Sequence, residues 1–199
     1  MDRRESLRAC SALAAWGTPG MAGLLFTSPG AWAQVETEEA RLLRMGACVV
    51  VLRHAQTDPG VGDPPGFDLA QCRTQRNLSE PGRAQARRIG EWFSTRQLQP
   101  RAVQSSPWCR CKETADLAFG RHSVLPALAS TFGGSGNTQP DQTQVLRTLL
   151  MAVPPGQFEV WVTHQVNITA LTGESSSMGE AIIVGSKGQS LLRTGFNRP

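Results

Sequence analysis

Apolar positions beyond residue 46 fall into two patterns. Unbroken aliphatic runs occur at 48–52 (CVVVL), 160–162 (VWV) and 181–184 (AIIV), and each reads as a strand buried on both faces. Between them the spacing turns helical. Gly82, Ala86, Ile89 and Phe93 share one face behind a Ser79 N-cap and Pro81, predicting a helix to about residue 97. Residues 102–105 read as a short strand. Ser106 then stands as an N-cap and Pro107 at the first helical position, so a helix is expected over 108–119. Leu146, Leu149, Leu150 and Val153 fall at i, i+3, i+4 and i+7, and Pro154-Pro155 closes that helix. A charged lead-in at 34–45, a strand at 124–125, a short helix at 166–171 and a hairpin strand at 190–193 complete the reading. Strands alternating with helices imply one domain, a three-layer α/β/α sandwich with a mostly parallel central sheet.

Two stretches break the pattern. Residues 58–78 hold Pro59, Gly60, Gly62, Pro64, Pro65 and Gly66, a loop long enough to expect a functional role, and residues 129–140 are a Gly/Ser/Thr loop. The first 33 residues form a third departure. Arg3-Arg4 precede a weakly apolar stretch softened by glycine and proline, which ends at Ala31-Trp32-Ala33. This order matches a twin-arginine export signal, so residues 1–33 are read as a cleavable leader and residues 34–199 as the mature domain, periplasmic in a Gram-negative cell. No apolar run is long enough for stable membrane insertion.

Composition narrows the partners. Twenty Lys+Arg against sixteen Asp+Glu give +4, without a dense basic run, which suits a small anionic ligand and not nucleic acid. Four cysteines lie beyond the leader: Cys48, Cys72, Cys109 and Cys111. In an oxidising compartment they permit one structural bond, from Cys72 to Cys109 or Cys111, with buried free thiols as the alternative. They do not sit at zinc-ligand spacing, and no metal site is expected.

The chemistry gathers where strands end. Arg53-His54 follow the first run, Ser105-Ser106 and then Arg110 follow the second strand, and His164 follows VWV. In open α/β sheets ligands bind beyond the carboxyl ends of the strands. Two of the chain's three histidines and two arginines thus reach one rim. Singly, each arginine reads as a surface ion-pair partner and each histidine as a core residue; their joint placement favours a site. Guanidiniums bind phosphoryl oxygens through paired donors, a helix start adds N–H groups, and a neutral imidazole can attack phosphorus. His122 has no such setting and reads as a loop residue; Arg83, Arg87 and Arg88 read as an exposed helix face; Arg73 and Arg76 extend the positive pocket from the long loop.

Four segments in order resemble the histidine phosphatase (phosphoglycerate mutase-like) superfamily: Leu52-Arg53-His54-Ala55-Gln56-Thr57, with Ala55 where the family usually has Gly; Leu78-Ser79-Glu80-Pro81-Gly82-Arg83-Ala84-Gln85-Ala86; Ser105-Ser106-Pro107-Trp108-Cys109-Arg110 running to Thr114-Ala115; and Val162-Thr163-His164. The resemblance implies a phosphoglycerate mutase-like fold and a metal-independent phosphatase that needs no cofactor. His54 would be the phospho-accepting nucleophile, Arg53 and Arg110 would hold the phosphoryl oxygens, and His164 would support the same pocket. Thr57 and Asn167 are added as substrate contacts.

The chain departs from the family at the general acid. Leu125-Pro126-Ala127-Leu128 carries no acid, and the residue after His164 is Gln165. An alkoxide leaving group needs a proton, and Glu180, opening the last buried run, is the candidate donor, with Asp58 and Asp68 as others. The expectation is hydrolysis of a small phosphorylated substrate through a phosphohistidine. The alternative is an impaired relative that only binds a phosphorylated ligand. A serine hydrolase is disfavoured because G-x-S-x-G is absent.

Overall fold

The structure is a computed structural model and describes residues 36–60, 62–132 and 139–196. The leader assignment for 1–33 lies outside them. α1 (Glu38–Met45) leads into β1 (Cys48–Arg53), and α2 (Glu80–Thr95), β2 (Ala102–Ser105), α3 (Cys109–Phe119) and β3 (Ser123–Val124) follow. The chain continues through α4 (Gln139–Met151), β4 (Phe158–Thr163), α5 (Gln165–Thr172), β5 (Ala181–Gly185) and β6 (Ser190–Thr194). The six strands form one sheet in the order β3-β2-β4-β1-β5-β6. The first four are mutually parallel, while β5 runs antiparallel to β1 and to β6. The expected sandwich with a mostly parallel sheet is therefore found.

The unbroken aliphatic runs are explained by their positions. β4, β1 and β5 form the sheet centre, and alternate residues of each enter different cores. Val50, Leu52, Val160, Val162 and Ile183 pack with Ala40, Leu43, Ile89, Trp92, Phe93 and Ala115 from α1, α2 and α3. Val49, Val51, Trp161 and Ile182 pack with Leu146, Leu150, Ile168 and Leu171 from α4 and α5. The edge strands β3 and β6 are largely exposed, so neither can carry such a run.

α2 begins as its sequence predicts, with Ser79 Oγ accepting from the Gly82 N–H at 3.2 Å. A Cβ on Gly82 would collide with the Gln56 carbonyl, so only glycine lets this helix start lie on the segment after β1. α3 differs from its expectation. Trp108 is its N-cap residue and provides no side-chain cap, and the helix starts at Cys109. The Ser106 hydroxyl accepts from the Trp108 N–H at 3.4 Å, as a cap would, and is also engaged by His164, 2.8 Å away.

Candidate active site

Strand register brings the key residues together. Arg53 pairs with Thr163 in the parallel β1–β4 ladder, so His54 and His164, one step later, leave neighbouring strands side by side. Their ring centroids are 5.5 Å apart. Ser105 pairs with Val162 across β4's other edge, and the next turn delivers Ser106, Trp108 and Arg110 to the same rim. The Thr114 hydroxyl donates to the Arg110 carbonyl at 2.6 Å and accepts from the Ala55 N–H at 3.0 Å, tying α3 to the residue after His54.

Hydrogen bonding assigns the tautomers. His54 Nδ1 lies 2.9 Å from the Ala55 carbonyl, which can only accept, so Nδ1 carries the proton and Nε2 keeps the lone pair. His164 Nδ1 faces Arg110 Nη2 at 3.4 Å, and an arginine can only donate. The proton of His164 is therefore on Nε2, directed to Ser106 Oγ. Both rings are buried. Burial pushes His54 down to about 3, against an upward pull from the Ala55 carbonyl, and Arg110, Arg53 and Arg76 add to the depression. Burial, with His54 and the same three arginines, holds His164 well below the usual imidazole range.

Neutral buried histidines have a cost in acid. Below pH 6.5 the unfolded chain takes up protons that the folded chain refuses, so stability falls as pH drops from 6.5 towards 3. At about 1.36 kcal/mol per pH unit, His54 alone removes about 2 kcal/mol between about pH 6.5 and 5. Urea midpoints at about pH 7 and 5 should show this loss, and it should shrink in His54→Gln; an equal loss in that variant contradicts the assignment.

Arg53 is half-buried and anchored through Nη1, which donates to the Ser176 carbonyl at 2.7 Å and to Gln165 Oε1 at 3.3 Å. Gln165, standing where an acid was sought, thus holds an arginine. Arg110 is buried, and its Nη1 and Nη2 donate to Asp63 Oδ1 and Oδ2 at 2.7 and 3.2 Å. Arg76 comes from the 58–78 loop, with its Nη1 on the Gly60 carbonyl at 2.6 Å. The Nε atoms of Arg53, Arg76 and Arg110 are all buried, without a protein partner among the described residues. The pocket therefore joins two neutral imidazoles to three guanidiniums, each with a buried donor to offer an anion.

The remaining predicted residues sit differently. Thr57 is buried with its hydroxyl on Met178 Sδ at 3.6 Å. The Asn167 amide is directed at the carbonyls of Leu128 and Ala129, 2.9 Å each, and at Thr163 Oγ1. Glu180 Oε2 accepts from the Ser177 N–H at 2.8 Å, while its carbonyl receives the Arg53 N–H. Asp58 is exposed, and the Asp68 carboxylate serves Ala70 and Gln71 within its own loop. His122, read as a loop residue, pairs with Asp116 at 2.6 Å.

Sequence reasoning missed Asp63 and Gln75. Gln75 Oε1 accepts from the Cys109 N–H at 2.9 Å, and a Cys72–Cys109 disulfide fastens the loop beside it, one of the two pairings anticipated. Cys48 and Cys111 are free and buried. The cysteine pattern is the signal that leads to Gln75, since a Cys72–Cys109 bond brings the loop to the start of α3. Among the described residues no group of three His, Cys, Asp or Glu gathers as a metal site, and no helix is long and apolar enough to cross a membrane.

Residues 49–131, which include Arg53, His54 and Arg110, match the family described as Histidine phosphatase superfamily (branch 1). No curated protein matches the chain. The protein histidine phosphatase SixA complexed with tungstate is similar at TM-score 0.51 and 17% identity, over 75% of this chain and 97% of that one. A putative phosphohistidine phosphatase SixA from Agrobacterium tumefaciens is similar at 0.52 and 19%, covering 74% and 97%. A phosphoglycerate mutase from Thermus thermophilus is similar at 0.53 and 18%, covering 73% and 97%. At such identities the likeness speaks for the fold. The chain thus has the phosphoglycerate mutase-like fold and, over residues 49–131, the sequence signature of the histidine phosphatase superfamily.

Proposed function

We propose that the protein is a phosphatase that hydrolyses small phosphorylated substrates through a phosphohistidine at His54, without a metal ion. The observation that carries this reading is the orientation of His54: Nδ1 is committed to the Ala55 carbonyl, leaving the Nε2 lone pair for phosphorus. Nε2 attacks as the bond from phosphorus to the leaving group breaks. The resulting ring is cationic, and its Nδ1–H stays on a carbonyl that favours that charge. Arg53, Arg76 and Arg110 hold the phosphoryl oxygens where negative charge spreads in the transition state. Water then attacks phosphorus, releasing phosphate and restoring the neutral ring. His164 supports the same pocket in its neutral form, its Nδ1 on Arg110 Nη2 and its Nε2–H on Ser106 Oγ.

The proton for an alkoxide leaving group is assigned to Glu180. Leaving groups that depart without a proton, such as phenolates or protonated amines, do not need it. Thr57 and Asn167 act in this reading by shaping the pocket walls. An exported, periplasmic location is part of the proposal and rests on the leader sequence.

The test is a quench of the full chain turning over a radiolabelled aryl phosphate in the presence of a chelator. A covalent label that is acid-labile, alkali-stable and mapped to His54 supports the reading. Turnover that stops with chelator, or a label elsewhere, refutes it. Glu180→Gln should slow an alkyl phosphate and leave an aryl phosphate unchanged; an alkyl phosphate turned over at the parent rate removes Glu180 from the mechanism. A folded chain that binds phosphate but never becomes labelled would favour the binding-protein alternative.

A further inference from the structure

A carboxylate from the irregular loop between β1 and α2 touches the phosphoryl pocket directly. Asp63 accepts four hydrogen bonds: from Arg110 Nη1 at 2.7 Å, Arg110 Nη2 at 3.2 Å, Trp108 Nε1 at 3.0 Å and the Arg76 backbone N–H at 3.0 Å. Its side chain is 8% exposed and that of Arg110 4%. A carboxylate with four donors is an acceptor fixed in place, not a proton donor. Its role must lie in what it does to its partners.

A guanidinium has two useful donor edges, the terminal pair Nη1/Nη2 and the lateral pair Nε/Nη2. Asp63 occupies the terminal edge of Arg110. The lateral edge is left with a buried Nε, unpartnered among the described residues, and an Nη2 that also reaches His164 Nδ1 at 3.4 Å. That edge therefore faces the histidine pair. The same carboxylate holds the backbone of Arg76, whose own Nε is buried and unpartnered, and the Arg76 carbonyl accepts from Arg110 Nη1 at 3.3 Å.

We propose that Asp63 is a positioning residue of the phosphoryl site: it turns the lateral edge of Arg110 towards the phosphoryl group and brings Arg76 in as a third guanidinium. This rests on the phosphatase reading above. The opposite role for the same contacts is a plug, in which Asp63 mimics phosphate on Arg110 and must be displaced by it. The two roles give effects of opposite sign.

The experiment measures orthovanadate and inorganic phosphate affinity by calorimetry, with kcat and KM on an aryl phosphate, for the full chain and Asp63→Asn. Positioning predicts a loss of about 10- to 100-fold in kcat/KM and in vanadate affinity, larger for vanadate than for phosphate, because an oriented donor matters most to the transition-state geometry. In an Arg110→Lys background, Asp63→Asn should then cost much less, since its effect travels through the arginine. Unchanged or tighter vanadate binding in Asp63→Asn overturns the proposal, as does a full additive loss in the Arg110→Lys chain. Trp108→Phe, which removes one donor to the same carboxylate, carries the same signs with a smaller effect if Asp63→Asn does not fold. A parent chain that binds neither anion and hydrolyses nothing refutes the phosphatase reading itself, before any variant is compared.

Discussion

His54→Ala should lower phosphate release by about 10⁴-fold or more, an increase in barrier of about 5.4 kcal/mol, while inorganic phosphate still binds within about tenfold of the parent affinity. The two parts follow from a division within the pocket. In the proposed mechanism His54 provides the bond-forming atom, whereas the anion is held by guanidiniums anchored independently: Arg53 on Ser176 and Gln165, Arg110 on Asp63, Arg76 on Gly60. Loss of the ring leaves these anchors in place. Single-turnover phosphate release and calorimetry check both parts. A loss of only tenfold would mean that His54 is one ligand among several, and that another atom attacks phosphorus.

Breaking the Cys72–Cys109 bond has the second-largest expected effect. It joins residues 37 apart, and closing a loop of that length stabilises a folded chain by about 3–4 kcal/mol in the chain-entropy account. For a domain of this size that corresponds to a fall in Tm of about 6–16 °C. Function should suffer too, because the bond holds the segment that carries Asp63, Gln75 and Arg76 against the start of α3. Thermal unfolding and aryl phosphate turnover, with and without a phosphine reductant and in the Cys72→Ser/Cys109→Ser chain, provide the check. The buried Cys48, pushed up to about 11, and Cys111, pushed up to about 12, stay protonated and should not contribute. An unchanged Tm in the double variant would show that the loop is held by its hydrogen bonds alone.

The part of this site that is legible in the sequence is the part that regular structure delivers. A buried parallel strand announces itself as an aliphatic run, and whatever follows it is placed by register; Arg53, His54 and His164 are readable for that reason. Arg110 is readable because a short strand and a helix start bracket it. Asp63 has no such frame. It stands in a Gly/Pro-rich stretch between Asp58 and Asp68, and nothing periodic distinguishes the three; both flanking acids are candidate proton donors by type, and neither carboxylate makes a contact with the pocket residues described. Ser106 misleads through its type. Serine before proline reads as a helix cap, and its hydroxyl does accept from the Trp108 N–H, but at 3.4 Å against 2.8 Å to His164, and the helix begins two residues later than a Ser106 cap implies. Asn167 is bound up in backbone contacts that its sequence position does not announce. One turn beyond His164 it shares that residue's helix, yet its amide meets the carbonyls after β3.

The loop between β1 and α2 is pinned to the start of α3 by the Cys72–Cys109 bond, by Gln75 on Cys109, by Asp63 and Arg76 on Arg110, and by Asp63 and Phe67 on Trp108. The residues at the ends of β1, β2 and β4 are placed instead by strand register. The same stretch of loop therefore carries both an exposed surface and two groups of the pocket, Asp63 and Arg76. Change is freest at the exposed Pro65 and Gly66, whereas Phe67, 6.0 Å from the Trp108 ring that itself lies 5.2 Å from His164, transmits any exchange into the pocket, so natural variation in this loop is expected to concentrate at its outer bend.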